Sequence, residues 1–199
     1  MIINENFRPK REKSERLPPG QYETGDFPVL SLGPTPTISK DDWVVEISGL
    51  IENPIRLNWQ ELSKLPQEAV IKDIHCVTKW SKFDTKWQGV SLDEIIKIVR
   101  PNPRATHIIA HSHDNYSTNL PIEDVANGKA FVALSYDGKD IESEHGGPAR
   151  LLVPHLYFWK SAKWLKRIEF TDRDKPGFWE TRGYHNYGDP WSEQRYTFD

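Results

Sequence analysis

Proline and tryptophan set the first limit on what this chain can fold into. It carries 15 prolines and 8 tryptophans in 199 residues. Proline removes a backbone donor and clashes with the preceding helical turn, so few stretches keep a long helical period. The tryptophans crowd toward the end, at Trp159, Trp164, Trp179 and Trp191. Such a chain is expected to lay loops over a sheet. Its length fits one domain, large enough to bury a core without staples.

Short patterned segments supply the sheet. In "WVVEISGLI", Trp43, Val45 and Ile47 fall on one face, and Gly49 ends the strand. "AVIKDIHC" runs into Cys76, and "THIIAHS" delivers His111 and His113 to a strand end. "AFVALSYDGK", "ARLLVP" and "KWLKRIEF" read as further strands. A turn at "ENP" precedes "IRL". Three short helices are predicted. One lies in "NWQELSKL", where Asn58 and Glu61 form a capping-box pattern; a second lies in "SLDEIIKIVR", with Ser91 and Glu94 as the pair and Pro101 as the stop. The third lies in "PIEDVANG", between Pro121 and Gly128. This mixed order favours an α+β fold in a single domain over a doubly wound sheet. No glycine-rich phosphate loop is present, which argues against a Rossmann or P-loop nucleotide site. Residues 1–26 read as a charged arm, 27–175 as the domain, and 176–199 as an aromatic tail packed on it.

A formal net charge of −3 gives no bulk attraction for nucleic acid or an anionic membrane. The apolar runs are far too short to span a bilayer. "MIINENFRPKREKSER" has no apolar segment after its charges, which points away from a secretory signal and toward the cytoplasm. The single cysteine cannot form an internal disulfide or a zinc site of paired cysteines.

That cysteine, Cys76 in "DIHCVTKWS", is either a small buried hydrophobe or a reagent. Thiolate chemistry needs a nearby cation, a metal or a helix N-terminus. His75 and Lys79 are close in sequence, and His111, His113, His145 or His155 could converge on the thiol as the base of a Cys–His hydrolase or transferase. A second constellation is "SEHGGPARLLVPHLYFWKSAKW". Its paired glycines allow close backbone approach, and Arg150 offers a planar fork for phosphate. With His145, Ser161 and Lys163, it reads as a cradle for an anionic cofactor or as a solvated charged turn. In "HSHDNYSTNLP", His111 and His113 alternate as a possible metal pair without further spaced ligands, and Tyr116 is a candidate proton donor or anion ligand.

In these residues the chain resembles the sulfite-oxidase-type molybdenum enzymes, over roughly residues 27–199. "GLIENPIRLNWQELSKLP", "DIHCVTKWS" and "YDGKDIESEHGGPARLLVPHLYFWKSAKWLKRIEF" carry the resemblance in order. The "GFWETRGYHNYGDPW" type of tail is similar to the small bacterial sulfite oxidase-like branch. The resemblance implies a mixed-sheet molybdopterin-binding fold and Mo-molybdopterin as cofactor. It implies that Cys76 ligates the metal and that His145 and Arg150 contact the pterin and its phosphate. Ser161, Ala162 and Lys163 would touch the cofactor partly through backbone, Ser112 or His113 would reach it from a strand end, and Tyr116 would stand near the substrate oxygen. The implied activity is oxygen-atom transfer to or from a small sulfur oxyanion or sulfoxide, with a separate electron donor or acceptor. A non-catalytic molybdopterin-binding module is the other outcome the resemblance allows. Departures accompany it. Val77, Thr78, Lys79 and Trp80 stand where sulfite oxidases have an Arg-rich motif, and "FPVLSLGPTP" replaces early cofactor contacts. No immunoglobulin-like dimerisation domain or haem module is expected. "CVTKWS" is nearer to the bacterial branch that reduces protein methionine sulfoxide.

Overall fold

Period-two alternation of buried and exposed residues builds two sheets. In a computed structural model, which describes residues 15–199, β1 (Tyr22–Glu23), β4 (Glu68–His75), β5 (Trp80–Ser91), β8 (Phe131–Tyr136), β9 (Lys139–Asp140) and β10 (Arg150–Leu152) form one sheet. The second runs in the order β3 (Ile55–Asn58), β2 (Val44–Gly49), β11 (Leu165–Thr171), β6 (His107–Ser112), β7 (Ser117–Pro121). β11 is parallel to β2 and β1 to β5, while the other pairs are antiparallel, so both sheets are mixed.

Alternate residues of β8 divide the interior. Val132 and Leu134 face the main core with Val45, Ile47, Ile108, Ile168 and Phe170. Phe131 and Ala133 face a smaller cluster with Ile74, Cys76, Trp80 and Trp87. Each fully buried aliphatic side chain contributes about 1.5–3 kcal/mol, so the two clusters fix both the sheet pairing and the place of the cysteine.

The helices α1 (Trp59–Ser63) and α2 (Leu92–Val99) form where their caps lie. At α1 the box is complete: Glu61 N donates to Asn58 Oδ1 and Asn58 N to Glu61 Oε2, both 2.9 Å. At α2 the expected Ser91–Glu94 box does not form. Ser91 accepts from Asp93 N, and Glu94 pairs with Lys97 at 2.5 Å. The predicted third helix is a 3-10 turn, Ile122–Asp124. So short a stretch gains too few hydrogen bonds to offset nucleation. Asn127 N and Gly128 N instead donate to the Asp93 carboxylate at 2.8 and 2.7 Å, tying this loop to the start of α2.

The longest strand, β5, has no counterpart in the sequence reading. Lys82, Asp84, Lys86 and Gln88 conceal the alternation of buried Thr85 and Trp87. Of the expected N-terminal arm, residues 1–14 lie outside the described residues. Tyr22–Glu23 add a strand beside Trp80–Ser81, and Arg16 bridges Asp73 and Asp84 at 2.6 and 2.7 Å. Among the described residues no helix is long and apolar enough to cross a membrane.

Candidate active site

Three connections bring the candidate residues together: the β4–β5 turn, the β6–β7 turn, and the segment around β10 and the 3-10 turn Phe158–Lys160. They surround a cavity of about 310 Å³ lined, among others, by Cys76, Ser112, Tyr116, His145, Arg150, Ser161 and Lys163. His113 and Ala162 are not part of its lining.

Cys76 opens a tight hairpin turn. Cys76 N donates to Trp80 O at 2.8 Å and Lys79 N to Cys76 O at 3.0 Å, while Lys79 takes the left-handed conformation (φ 75°) that such turns require. The thiol is 6% exposed. Burial pushes its pKa up, and hydrogen bonds from the Thr78 hydroxyl and the Thr78 and Val77 backbone offset this only in part. Among the described residues the side chain that bonds Sγ is Thr78, and none is a histidine. His75 turns away to Ser81 Oγ at 2.8 Å, and His155 bonds Asp124. A Cys–His nucleophile needs a base at the sulfur, and no described residue supplies one. A coordinated metal would deprotonate the thiol regardless of its free pKa.

Arg150 is the second anomaly. Its side chain is fully buried, with Nη1 on His145 O at 2.6 Å and Nη2 on Ser161 O at 2.7 Å. Burial lowers its pKa to about 9, and among the described residues no carboxylate pairs with it. Lys163 beside it is pulled down to about 8 by burial and by the Arg150 charge, and its ammonium donates to two carbonyls, Leu30 O and Glu144 O, at 2.7 Å each. A fully buried guanidinium with no paired carboxylate among the described residues is costly, Lys163 adds a second positive charge that Asp114 and Glu144 only partly balance, and an anion in the cavity would offset that cost. Ser112 Oγ and Trp80 Nε1 are buried in the same wall without hydrogen-bond partners among the described residues. These groups fit an anionic ligand rich in hydrogen-bonding atoms.

The paired glycines serve the chain itself. A Cβ at Gly147 would lie 2.0 Å from Ile141 O, and one at Gly146 would lie 2.8 Å from Lys163 Cβ. Their close approach is therefore to backbone and to Lys163, which seats His145 and Lys163 side by side. His145 stacks on Phe27 with ring centroids 4.0 Å apart, and burial, Arg150 and Lys163 hold its pKa down.

Tyr116 is buried against the cavity and donates its hydroxyl to Trp159 O at 2.6 Å. Burial, then Glu180, holds it well above the usual phenol range, so it stays neutral. His111 and His113 do not make a metal pair. β6 ends at Ser112, His111 contacts Glu169 and Arg167, and the two imidazoles join no cluster of convergent ligands among the described residues.

Further wall residues lie outside the named candidate set. Phe27, Pro28, Leu30 and Leu32 form a strap on one side, and Phe158 and Trp159 add to the lining. Trp179 and Tyr184 from the tail also line the cavity, while Phe178 and Tyr187 pack on the core. The tail thus both covers the site and completes the interior. Thr78 carried a usable signal, a hydroxyl two residues past a lone cysteine within a turn. The strap's signal was its place in "FPVLSLGPTP", where the resemblance has early cofactor contacts, but nothing in that stretch marks Lys163 as its partner.

Residues 32–179 match the family described as oxidoreductase molybdopterin binding domain. The chain belongs to this family. It is an oxidoreductase, and its cofactor is molybdopterin carrying molybdenum. It is 41% identical over 189 residues, covering 94% of this chain and 96% of the other, to the uncharacterized oxidoreductase YuiH of Bacillus subtilis (strain 168). It is 29% identical over 164 residues to the catalytic subunit MsrP of a protein-methionine-sulfoxide reductase from Gluconobacter oxydans (strain 621H), covering 73% of this chain and 52% of that one. The fold is similar to that of the sulfane dehydrogenase SoxCD from Paracoccus pantotrophus, with a TM-score of 0.64 at 22% identity over 70% of this chain and 40% of that one.

Arg150, Lys163, His145, Ser112 and Ser161 are the residues suited to hold the cofactor. Arg150→Met removes the charge and keeps much of the stem. It is expected to lower cofactor affinity by roughly ten- to a hundredfold, the equivalent of about 1.5–3 kcal/mol for a charge-assisted hydrogen bond. Because the Lys163 pKa is lowered to about 8, the cofactor-free protein loses that positive charge as pH rises through this value. Loading should therefore be weaker at pH 9 than at pH 7. Pterin fluorescence and molybdenum content of equilibrated samples measure both effects.

Proposed function

We propose that this protein removes an oxygen atom from a neutral sulfoxide, using molybdenum ligated by Cys76. When bound, the metal supplies two-electron oxygen-atom transfer. The net reaction consumes the sulfoxide, two protons and two electrons, and releases the sulfide and water. A separate electron donor provides the electrons.

The observation that carries this reading is the distribution of charge in the cavity. Its basic side chains are His145, Arg150 and Lys163, all from the segment suited to the cofactor. The rest of the lining is largely apolar and aromatic, with Val77, Trp80, Trp159, Trp179 and Tyr184, and Asp114 adds a carboxylate rather than a cation. A doubly charged oxyanion would be desolvated there without a cation of its own, which is unfavourable. A sulfoxide needs an apolar slot and a hydrogen-bond donor, and the aromatic wall supports that choice. The MsrP relative, named for methionine sulfoxide reduction, points to the same class.

In this reading the protein's own groups bind, orient and exclude water. Tyr116 would be the proton donor to the substrate, and its proton, held on the Trp159 carbonyl at 2.6 Å, would have to leave that carbonyl first. Phe27, Trp80 and Phe158 keep the cofactor side dry.

The test is molybdenum analysis followed by paired kinetics. About one molybdenum per chain is expected by the soft-ligand argument for a thiolate. Methionine sulfoxide reduction by a reduced viologen should exceed sulfite oxidation by ferricyanide in kcat/KM. Faster sulfite turnover would reject the neutral-substrate reading, and metal-free protein purified from cofactor-replete cells would reject the ligand assignment.

A further inference from the structure

The turn that presents Cys76 also offers its sulfur hydrogen-bond donors from one side. Thr78 Oγ1 lies 3.1 Å from Cys76 Sγ. Among the described residues that hydroxyl has no other hydrogen-bond partner. Thr78 lines the cavity, as Cys76 does. Its position is fixed by the turn: the Cys76 carbonyl accepts from Lys79 N and also from Gln21 Nε2, both at 3.0 Å, and Cys76 N is held by Trp80 O. β1 pairs with the start of β5, so the backbone around the sulfur is braced from outside the turn as well. No lysine, arginine or histidine among the described residues contacts Sγ, which leaves hydrogen bonds as the protein's direct means of adjusting charge on the sulfur.

We propose that Thr78 is a positioning residue that donates its hydroxyl to the metal-ligating sulfur and so sets the reduction potential of the metal. This rests on Cys76 being the ligand. A hydrogen bond to a thiolate withdraws electron density from the sulfur, which then donates less to the metal and favours the more reduced metal. The N–H groups of Thr78 and Val77 also favour the negative sulfur, so the side chain adds to a donor set that the turn already supplies. Thr78 is exposed on the turn, and replacing its hydroxyl by a methyl disturbs no core packing.

The test compares wild type, Thr78→Val and Thr78→Ser as molybdenum-loaded proteins. The midpoint potential is followed by the Mo(V) electron paramagnetic resonance signal during titration with dithionite, and the sulfur-to-molybdenum charge-transfer band is recorded in the oxidised state. Thr78→Val should keep full molybdenum content, shift the potential negative and move the charge-transfer band. A tenfold change in the equilibrium of a one-electron step corresponds to about 59 mV, and a shift of this order is expected. Thr78→Ser, which retains the hydroxyl, should return both readings toward wild type. Loaded Thr78→Val with the native potential and band would overturn the proposal, as would a serine variant as displaced as the valine one. Loss of molybdenum from Thr78→Val alone would also overturn it, because the hydroxyl would then retain the metal rather than tune it. A wild-type protein without molybdenum would instead fail the ligand assignment, so the two failures are distinguishable.

Discussion

Cys76→Ser should give a folded protein that turns over no substrate. The side chain sits in the smaller core cluster with Ile74, Trp80 and Trp87, and serine is close to it in size. The new hydroxyl can bond Thr78 Oγ1, the group that now meets the sulfur at 3.1 Å. The stability cost is therefore that of burying one satisfied hydroxyl, at most about 1–3 kcal/mol. The chemical cost is larger. An alkoxide is a hard ligand that water at neutral pH leaves protonated, and a neutral alcohol does not replace a soft thiolate. Losing an outer-shell partner of a metal ligand costs roughly 10–100-fold in affinity or activity, so losing Cys76, the ligand in the proposed function, should exceed that range. Circular dichroism, molybdenum content and turnover measured together check the result. Native turnover in the serine variant would return Cys76 to a packing role.

What the sequence disclosed about this site follows the range of the interactions involved. Caps are local, and both α-helices are found where Asn58 and Ser91 announce them. Ser91 nevertheless bonds Asp93 rather than forming a box with Glu94, because Glu94 has a competing partner in Lys97. β5 shows no clear pattern in the sequence because its exposed face is charged and its turn residues sit inside it: Asp84 adopts φ 54° and donates its N–H to Asp73 Oδ1. Arg150 was legible as a phosphate-type fork, but its lack of a counter-ion was not, since that depends on every element packed around it. The glycines before it were read as room for a ligand and turn out to make room for Lys163 and the Ile141 carbonyl. The strap is the extreme case. Leu30 O meets Lys163 Nζ across 133 positions of sequence, and no local pattern encodes such a contact.

The aromatic tail shows how a long-range contact can be built from one buried charge pair. Lys160 and Glu180 meet at 2.6 Å, each side chain 1% exposed. Burial lowers the Lys160 pKa, and Glu180 opposes that shift. The ammonium also donates to Asn119 O, Asn119 Oδ1 and Asn186 O, while Glu180 Oε1 accepts from Thr118 Oγ1 at 2.8 Å and Trp159 Nε1 at 3.0 Å. Trp159 and Trp179, the residue before Glu180, both line the cavity. One carboxylate therefore holds the tail to the domain and fixes two walls of the site. Glu180→Ala should expose this double role. It leaves a buried ammonium without a counter-ion, a change that costs about 3–5 kcal/mol. In a domain of this size the midpoint of unfolding should fall by roughly 6–20 °C. The freed Trp159 and Trp179 should raise KM for the proposed sulfoxide substrate while molybdenum content holds below the new unfolding temperature. Lys160→Met with Glu180→Leu removes both charges and should recover part of the stability, because a buried ion pair is often replaceable by apolar packing. It should not restore KM, since Trp159 Nε1 and Thr118 Oγ1 still lack their acceptor. If the double variant regains native KM, the wall is set by packing alone and the carboxylate does no more than hold the tail in place.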